Sequence, residues 1–418
     1  MVSFQSIRTL SLVGLTGALA LTTFFNRESI ASTISFRDSP KAVLDQAWQI
    51  VDQTYVDRSF NHVDWQQVRQ QLLSKNYTSR DAAYAALKGA LKQLNDPYTR
   101  FLTPTEFQAL NSEDINGELT GVGLQLETDQ KTKAIKVVKV LNNSPALKAG
   151  VRPGDTLLAI DGHRTQGMAI EQATKLIRGQ ANTQVKFLLG RAKRAPFSLA
   201  ITRQQIQLPV VTAALRQQNN QRIGYIRLDE FSGHAAEQMQ QAITNLDRQH
   251  VDRFVLDLRG NPGGLLDQET AIARMWLNQG TIVRIVDRDG AAEEVQANRT
   301  ALTNRPLAIL VDGGSASASE ILTGALKDNQ RAVVVGTQTF GKALVQSVNP
   351  LPDGSGINVT IAHYFTPSGL DINHRGITPN VVIPLTQQQK QELSSHPDEL
   401  GTSRDSQYER ALSALTTQ

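Results

Sequence analysis

Ser317 and Lys342 are the two residues whose types and spacing first suggest chemistry. The serine lies in Asp312-Gly-Gly-Ser-Ala-Ser317-Ala-Ser-Glu320, and the lysine follows in Phe340-Gly-Lys342-Ala-Leu-Val-Gln346. A hydroxyl is a weak nucleophile until a neighbouring base takes its proton, and an amine can be that base when it is neutral. The pair therefore reads as nucleophile and base for acyl transfer. The elements around them fit that use. Leu307 to Val311 is a short apolar run of strand type, Asp312-Gly313-Gly314 is a turn, and Ile321, Leu322, Ala325 and Leu326 recur at helical spacing. Ser317 thus falls at a strand-to-helix turn, where the first N–H groups of the helix lack internal partners and can stabilise developing negative charge. Taken alone, the commoner reading is that Ser315, Ser317 or Ser319 merely caps the helix, with Glu320 completing a capping box.

The lysine shifts that balance. Val333 to Val335 is a second buried-strand run, and the loop from Gly336 to Gly341 brings Lys342 to that strand's carboxyl end, where open α/β sheets place ligands. An apolar pocket strips an ammonium of water and favours the neutral amine, each tenfold change in the neutral fraction costing about 1.4 kcal/mol. Gln346 alternates with Val345 and Val348 in strand fashion, so its amide is placed to hold the lysine amine. Asp328 lies near the helix end, where an acid is unfavourable, so it is expected to have a partner; a solvated Asp-Asn turn is an equal alternative. Two rival chemistries are weaker. Gly336 to Lys342 resembles a phosphate-binding loop, but Ala343 stands where a magnesium-binding Ser or Thr is needed, and Leu344 to Pro350 reads as a strand rather than a helix. Among the seven histidines, His363 and His374 could approach Ser317, yet neither sits in a local motif.

A second strand-to-helix crossing lies upstream. Phe254 to Leu258 is a buried strand, Gln268 to Leu277 is helical, and Arg259-Gly-Asn-Pro-Gly-Gly264 between them lets backbone come close to a substrate carbonyl, or forms a plain tight turn. Together with Asp257 to Gly264, the segments Ile223 to Leu228, Asn95-Asp-Pro-Tyr-Thr-Arg-Phe101 and Gly376-Ile-Thr-Pro379 resemble landmarks of the carboxyl-terminal processing peptidases, a serine-lysine family, across roughly residues 40 to 385. The cyanobacterial and plastid branch is the most similar in appearance. The resemblance implies Ser317 as nucleophile, Lys342 as general base, Gln346 as the residue orienting it, Asp328 in a supporting role, and the N–H groups of Gly263 and Ala318 as oxyanion donors. It departs at Asn380, where the family often has Asp.

Between these regions, Thr120 to Leu124, Ile135 to Val140, Ser144 to Asp155, Leu157 to Gly162 and Ile170 to Ile177 follow the order of a PDZ domain. Such a domain pairs a peptide as an extra strand and holds its terminal carboxylate on loop amides, here those of Gly121, Val122, Gly123 and Leu124. The resemblance gives Arg152 a regulatory role coupling tail binding to the catalytic site; an exposed turn arginine is the plainer alternative. Arg191 to Arg194 reads as a solvated hairpin turn.

Composition bounds the rest. The chain has 418 residues, 40% hydrophobic, enough for two or three domains with real cores, and a net charge of +4 with no basic run interleaved with aromatics, which argues against nucleic acid. It has no cysteine, so thiol chemistry, disulfides and cysteine-held metals are excluded. Arg8 precedes an apolar stretch from Leu10 to Phe25, shorter than the roughly 20 residues a spanning helix prefers, and Ser29-Ile-Ala31 resembles a cleavage site. The expected plan is a signal peptide over 1–31, a helical region over 32–117, a PDZ domain over 118–205, a mixed α/β peptidase core over 206–386, and a polar tail over 387–418. That tail is expected to pack on the N-terminal helices or stay mobile. The implied protein is an exported endopeptidase of a thylakoid lumen or periplasm, without metal or organic cofactor. It would act on protein C-terminal tails and associate peripherally with membranes through membrane-protein substrates, with retention of the apolar N-terminal stretch as an anchor the alternative to its cleavage. A photosystem II reaction-centre precursor is one implied substrate and general quality control another, while oligomeric state is not legible. A non-catalytic PDZ adaptor is the competing class, disfavoured because Ser317, Lys342 and Gln346 are retained together.

Overall fold

The structure, a computed structural model, describes residues 39–111, 116–218 and 220–416, so the expected signal segment lies outside the described residues. The chain forms two compact units. Of the described residues, one combines those up to Leu110 with Val211–Phe231 and those from Ala235 on; the other takes those between Asn111 and Val210 with Ser232–His234.

The first unit is built on a six-stranded sheet in the order Val211–Gln218, Gln221–Leu228, Arg253–Asp257, Leu307–Val311, Val333–Gly336 and Val381–Val382. Its first pair is an antiparallel hairpin and the remaining pairs are parallel. Leu307–Val311 is buried at every position, as a strand covered on both faces must be. Toward one face, the Phe254 ring meets Trp276 of the Leu266–Trp276 helix edge-on at 5.3 Å. Toward the other, Tyr225, Val255, Ala308, Leu310, Val333 and Val335 pack on Tyr408, Ala411 and Leu415 of the C-terminal Ser406–Leu415 helix. Those three residues fall on one helical stripe, and Asp405 caps the helix by accepting from the Tyr408 N–H at 3.2 Å. The Ser406–Leu415 part of the expected polar tail thus packs on the parallel sheet rather than on the N-terminal helices, because its periodic apolar residues fit that face.

A second, antiparallel sheet places Gly356–Phe365 at its centre. Leu344–Pro350 pairs along one side, and Arg100–Leu102 and Thr281–Asp287 pair in succession along the other. The helices Pro40–Thr54, Trp65–Ser74 and Arg80–Leu91 start at the caps Ser39, Asp64 and Ser79. They pack on this sheet through a cluster that includes Leu44, Trp48, Trp65, Leu87, Phe101 and Ile357. Val43, Leu44, Ala47, Trp48 and Val51 form the buried stripe of the first helix.

The second unit is a five-stranded antiparallel sheet in the order Leu124–Thr128, Ile135–Val140, Thr156–Ile160, Gln184–Arg191 and Arg194–Thr202, with the short His163–Arg164 strand pairing on Thr156–Ile160. Leu124–Thr128 is an edge strand, and the Ile170–Ile177 helix packs beside it. An edge strand next to a helix is the geometry into which a peptide can add as a further strand.

Candidate active site

Three serines crowd the start of the Ala318–Asp328 helix, and their hydrogen bonds distinguish them. The Ser315 hydroxyl donates to the Leu258 carbonyl at 2.8 Å, and that of Ser319 donates to the Asn261 carbonyl at 2.9 Å. Both tie the helix start to the Leu258–Gly264 loop. Ser317 is the N-cap residue, and it is held through its N–H by the Glu320 carboxylate. Its backbone sits at φ 53° and ψ −116°, a conformation that costs a non-glycine residue about 1–3 kcal/mol and persists only when its surroundings enforce it.

Two side chains do the enforcing, and both also hold Lys342. Glu320 is fully buried. Its Oε2 accepts from the Ser317 N–H at 3.0 Å and from the Lys342 N–H at 2.8 Å. Its Oε1 accepts from the Gly341 N–H at 2.7 Å and the Thr339 hydroxyl at 2.5 Å. On the carbonyl side, the buried Tyr364 hydroxyl reaches the Ser317 carbonyl at 3.1 Å and also donates to the carbonyl of Lys342. One carboxylate and one phenol thus fasten the serine and lysine backbones to each other. Burial pushes the Glu320 carboxyl above the ordinary carboxylate range, against the pull of the Thr339 hydroxyl and the Lys342, Gly341 and Ser317 N–H groups. Burial also lowers Lys342 below the ordinary lysine range, helped by the Arg100 charge and opposed by Asp96 and Glu320. A lowered lysine is neutral over more of the working pH range, as a base must be.

The Gly260–Gly264 loop completes the cleft. A Cβ at Gly263 would lie 2.7 Å from the Ala316 carbonyl oxygen, 2.8 Å from Ser317 Cβ and 2.9 Å from the Ala318 nitrogen, and its φ is +104°. Only glycine fits there. The Ala318 N–H is the first of its helix and has no intrahelical acceptor. Asn261 is buried, anchored by its amide to the Leu228 carbonyl at 2.9 Å.

Three expectations need correction. The Gly263 N–H does not face an open oxyanion position; it donates to Asn261 Oδ1 at 2.8 Å. Gln346 makes no hydrogen bond to the lysine amine: its Nε2 is buried without a hydrogen-bond partner, and the residue pairs opposite Thr360 after a register shift beside Val345. Asp328 is not at the site at all. It stands at the far end of the Ala318–Asp328 helix, about 16 Å along the axis from Ser317 at 1.5 Å per residue, and accepts from the Ser368 N–H and hydroxyl at 3.0 and 2.7 Å. The expected partner exists, but it is a turn. The histidines contribute backbone only. His374 donates its N–H to the Gly341 carbonyl at 2.8 Å, and His363 pairs opposite Leu344. Asn380 accepts from the Val334 N–H at 2.9 Å, which accounts for a polar residue after Ile-Thr-Pro.

Glu320 was legible only as a cap, since a Ser-x-x-Glu pattern says nothing of the distant Gly341 and Lys342. Tyr364 carried no signal, because only strand register brings it over the helix start. In the second unit, the Val122 and Gly123 carbonyls accept from the Ala146 and Leu141 N–H groups at 2.9 and 3.0 Å. Gly123 has φ +81°, and a Cβ there would lie 2.3 Å from that of Ser144. The Arg152 side chain is exposed, while its N–H donates to Asp155 at 2.9 Å.

A strained serine and a half-buried lysine tied to it through their backbones, in a unit separate from one with an edge strand, is the layout of a serine peptidase that carries a peptide-binding module. Residues 222–383 match peptidase family S41, and residues 136–191 match the PDZ domain. The chain is 42% identical to the carboxyl-terminal-processing protease of Synechocystis sp. over 92% of its length and 88% of that protein's. It is 40% identical to the chloroplastic C-terminal processing peptidase of Tetradesmus obliquus, over 80% of this chain and 75% of that one. Among solved structures, a photosystem II D1 C-terminal processing protease superposes with a TM-score of 0.54 at 38% identity, covering 83% of this chain and 93% of that one. The chain belongs to the carboxyl-terminal-processing proteases of peptidase family S41, a family of serine peptidases.

Proposed function

We propose that Ser317 is the nucleophile and Lys342 the general base of this C-terminal processing endopeptidase. The observation that carries the reading is the double strap of Glu320 and Tyr364, which fixes the two residues as one unit. The neutral Lys342 amine takes the Ser317 proton as Oγ adds to the scissile carbonyl. The oxyanion rests on the Ala318 N–H at the helix start. The lysine ammonium then protonates the departing amine, leaving an acyl-enzyme on Ser317, and water activated by the same amine releases the product. Gly263 contributes close backbone approach, and Asp328 and Gln346 take no direct part in the proton transfer.

The PDZ module reads the substrate's free C-terminus on the Gly121 to Leu124 amides, with the peptide added to the Leu124–Thr128 edge; Arg152 relays tail binding to catalysis. The substrate is the C-terminal extension of the photosystem II D1 precursor. Supporting this are the 38% identity to the D1-processing protease and the cyanobacterial and chloroplastic relatives. The protein works after export, in a lumen or periplasm. Mass spectrometry of membrane-protein C-termini from cells lacking the protein tests this. D1 retaining its extension supports the reading; normally trimmed D1 with other proteins accumulating untrimmed tails favours general quality control and overturns it.

A further inference from the structure

The segment Asn95–Phe101 has no part in the mechanism so far, yet it ends on the general base. We propose that Tyr98 is a positioning residue for Lys342, its ring face supporting the ammonium that the lysine becomes when it takes the serine proton. This rests on the Ser317–Lys342 assignment. The Lys342 Nζ lies 4.5 Å from the centroid of the Tyr98 ring, well inside the range of about 6 Å over which a ring quadrupole attracts a cation. Among the described residues, Nζ forms no ion pair or hydrogen bond, so the ring is its principal specific contact.

The ring is held firmly. Asn95 turns the chain with φ +51°. The Tyr98 N–H donates to Asp96 Oδ1 at 2.9 Å, and the Thr99 hydroxyl donates to Asp96 Oδ2 at 2.7 Å. Thr99 Oγ1 in turn accepts from the Thr360 N–H at 3.0 Å, and Arg100 and Phe101 pair with Asn358 and Ile357. The strand that receives these bonds is Gly356–Phe365, which also pairs with Leu344–Pro350 directly after the lysine. Ring and amine are thus referenced to the same strand.

The groups facing the lysine divide in two. Burial and the Arg100 charge favour the neutral amine; the Asp96 and Glu320 charges favour the ammonium, as does the Tyr98 ring face. Tyr364 and His374 meet the neighbouring backbone at the Lys342 and Gly341 carbonyls. A base must start neutral and end charged, and a ring contributes mainly to the second state. Its loss should therefore slow proton transfer while making the lysine easier to deprotonate.

The test is the pH dependence of kcat/KM on a tail peptide, at low salt, for Tyr98→Leu, Tyr98→Phe, Arg100→Gln and Lys342→Ala. Tyr98→Leu should lower the plateau about tenfold and move the rising limb to lower pH. Tyr98→Phe, which keeps the ring face, should leave the limb in place, and Arg100→Gln, an exposed change that preserves the fold, should move it to higher pH. If Tyr98→Leu does not fold, Tyr98→Met, which also removes the ring face, decides by the same reading: a limb at the wild-type position overturns the proposal. A Tyr98→Leu limb at the wild-type position, or a Tyr98→Phe enzyme behaving like Tyr98→Leu, overturns it as well. Those failures are separable from failure of the serine-lysine reading, which would show as more than a tenth of wild-type turnover in Lys342→Ala.

Discussion

Replacing Glu320 by glutamine changes one atom and tests the strap that joins nucleophile and base. The carboxylate accepts four hydrogen bonds, two on each oxygen, and bonds to an ionised acceptor contribute about 1.5–3 kcal/mol each. An amide keeps one acceptor and makes the other position a donor. With its oxygen toward Ser317 and Lys342, its nitrogen faces Thr339 and Gly341. The Thr339 hydroxyl can turn and accept, but the Gly341 N–H cannot, so one charge-assisted bond is lost and two donors oppose each other. The surviving bonds weaken to neutral strength, partly offset by no longer burying a charge. The net cost is about 2–4 kcal/mol, or roughly 5–10 °C in Tm for a unit of this size. Because Ser317 and Lys342 hang from the same oxygen, misplacement on the order of 1 Å should lower kcat about a hundredfold with KM little changed. Thermal melting followed by circular dichroism and steady-state cleavage of a tail peptide at 20 °C measure the two effects. A Glu320→Gln enzyme with kcat within threefold of wild type refutes the positioning role, whatever its Tm.

Gly263→Ala should abolish cleavage in a folded protein, since the added Cβ meets Ala316, Ser317 and Ala318 at under 3.0 Å; measurable turnover would show that the loop yields. Arg259 bonds Asp257 and Asp405, with 2.6 Å contacts to each, and Arg259→Leu should cost about 3–5 kcal/mol in urea unfolding by stranding both acids. Burial pushes the Asp257 carboxyl up, but the Arg259 and Arg227 charges and the Tyr225 hydroxyl hold it below the ordinary range. The stability it contributes is therefore present at neutral pH and lost as pH falls through its lowered value, and Arg259→Leu should remove that acid limb. Amidating a substrate's C-terminus should weaken binding roughly tenfold to a hundredfold, as charge-assisted bonds to the Gly121 to Leu124 amides become neutral ones; equal Kd values for acid and amide would show that the module does not read the carboxylate.

What was legible in the sequence was what local patterns encode. The runs at Leu307–Val311 and Val333 to Val335 announced buried strands because parallel strands are covered on both faces, and the glycines of Arg259 to Gly264 marked a place where backbone comes close. Ser317 and Lys342 stood out by type and by their position at strand ends. The illegible part depends on register. Nothing local says that Tyr364 reaches Ser317, that Glu320 serves Lys342 as well as its own cap, or that a one-residue shift beside Val345 sets Gln346 opposite Thr360. Asp328 misled for a related reason, since proximity along the chain to both Ser317 and Lys342 concealed a full helix length between it and the cleft. The C-terminal helix was misplaced because an amphipathic stripe specifies that a face is buried, not which one.

The central claim is that Ser317 forms an acyl-enzyme with Lys342 as its base, and trapping that intermediate tests it most directly. A tail peptide or slowly deacylating ester mixed with enzyme and quenched in acid should add the mass of the acyl fragment to the tryptic peptide containing Ser317. The adduct should form faster as pH rises through the lowered Lys342 range, and should be absent from Ser317→Ala and Lys342→Ala. An adduct on another residue, or undiminished acylation of Ser317 in Lys342→Ala, would contradict the account.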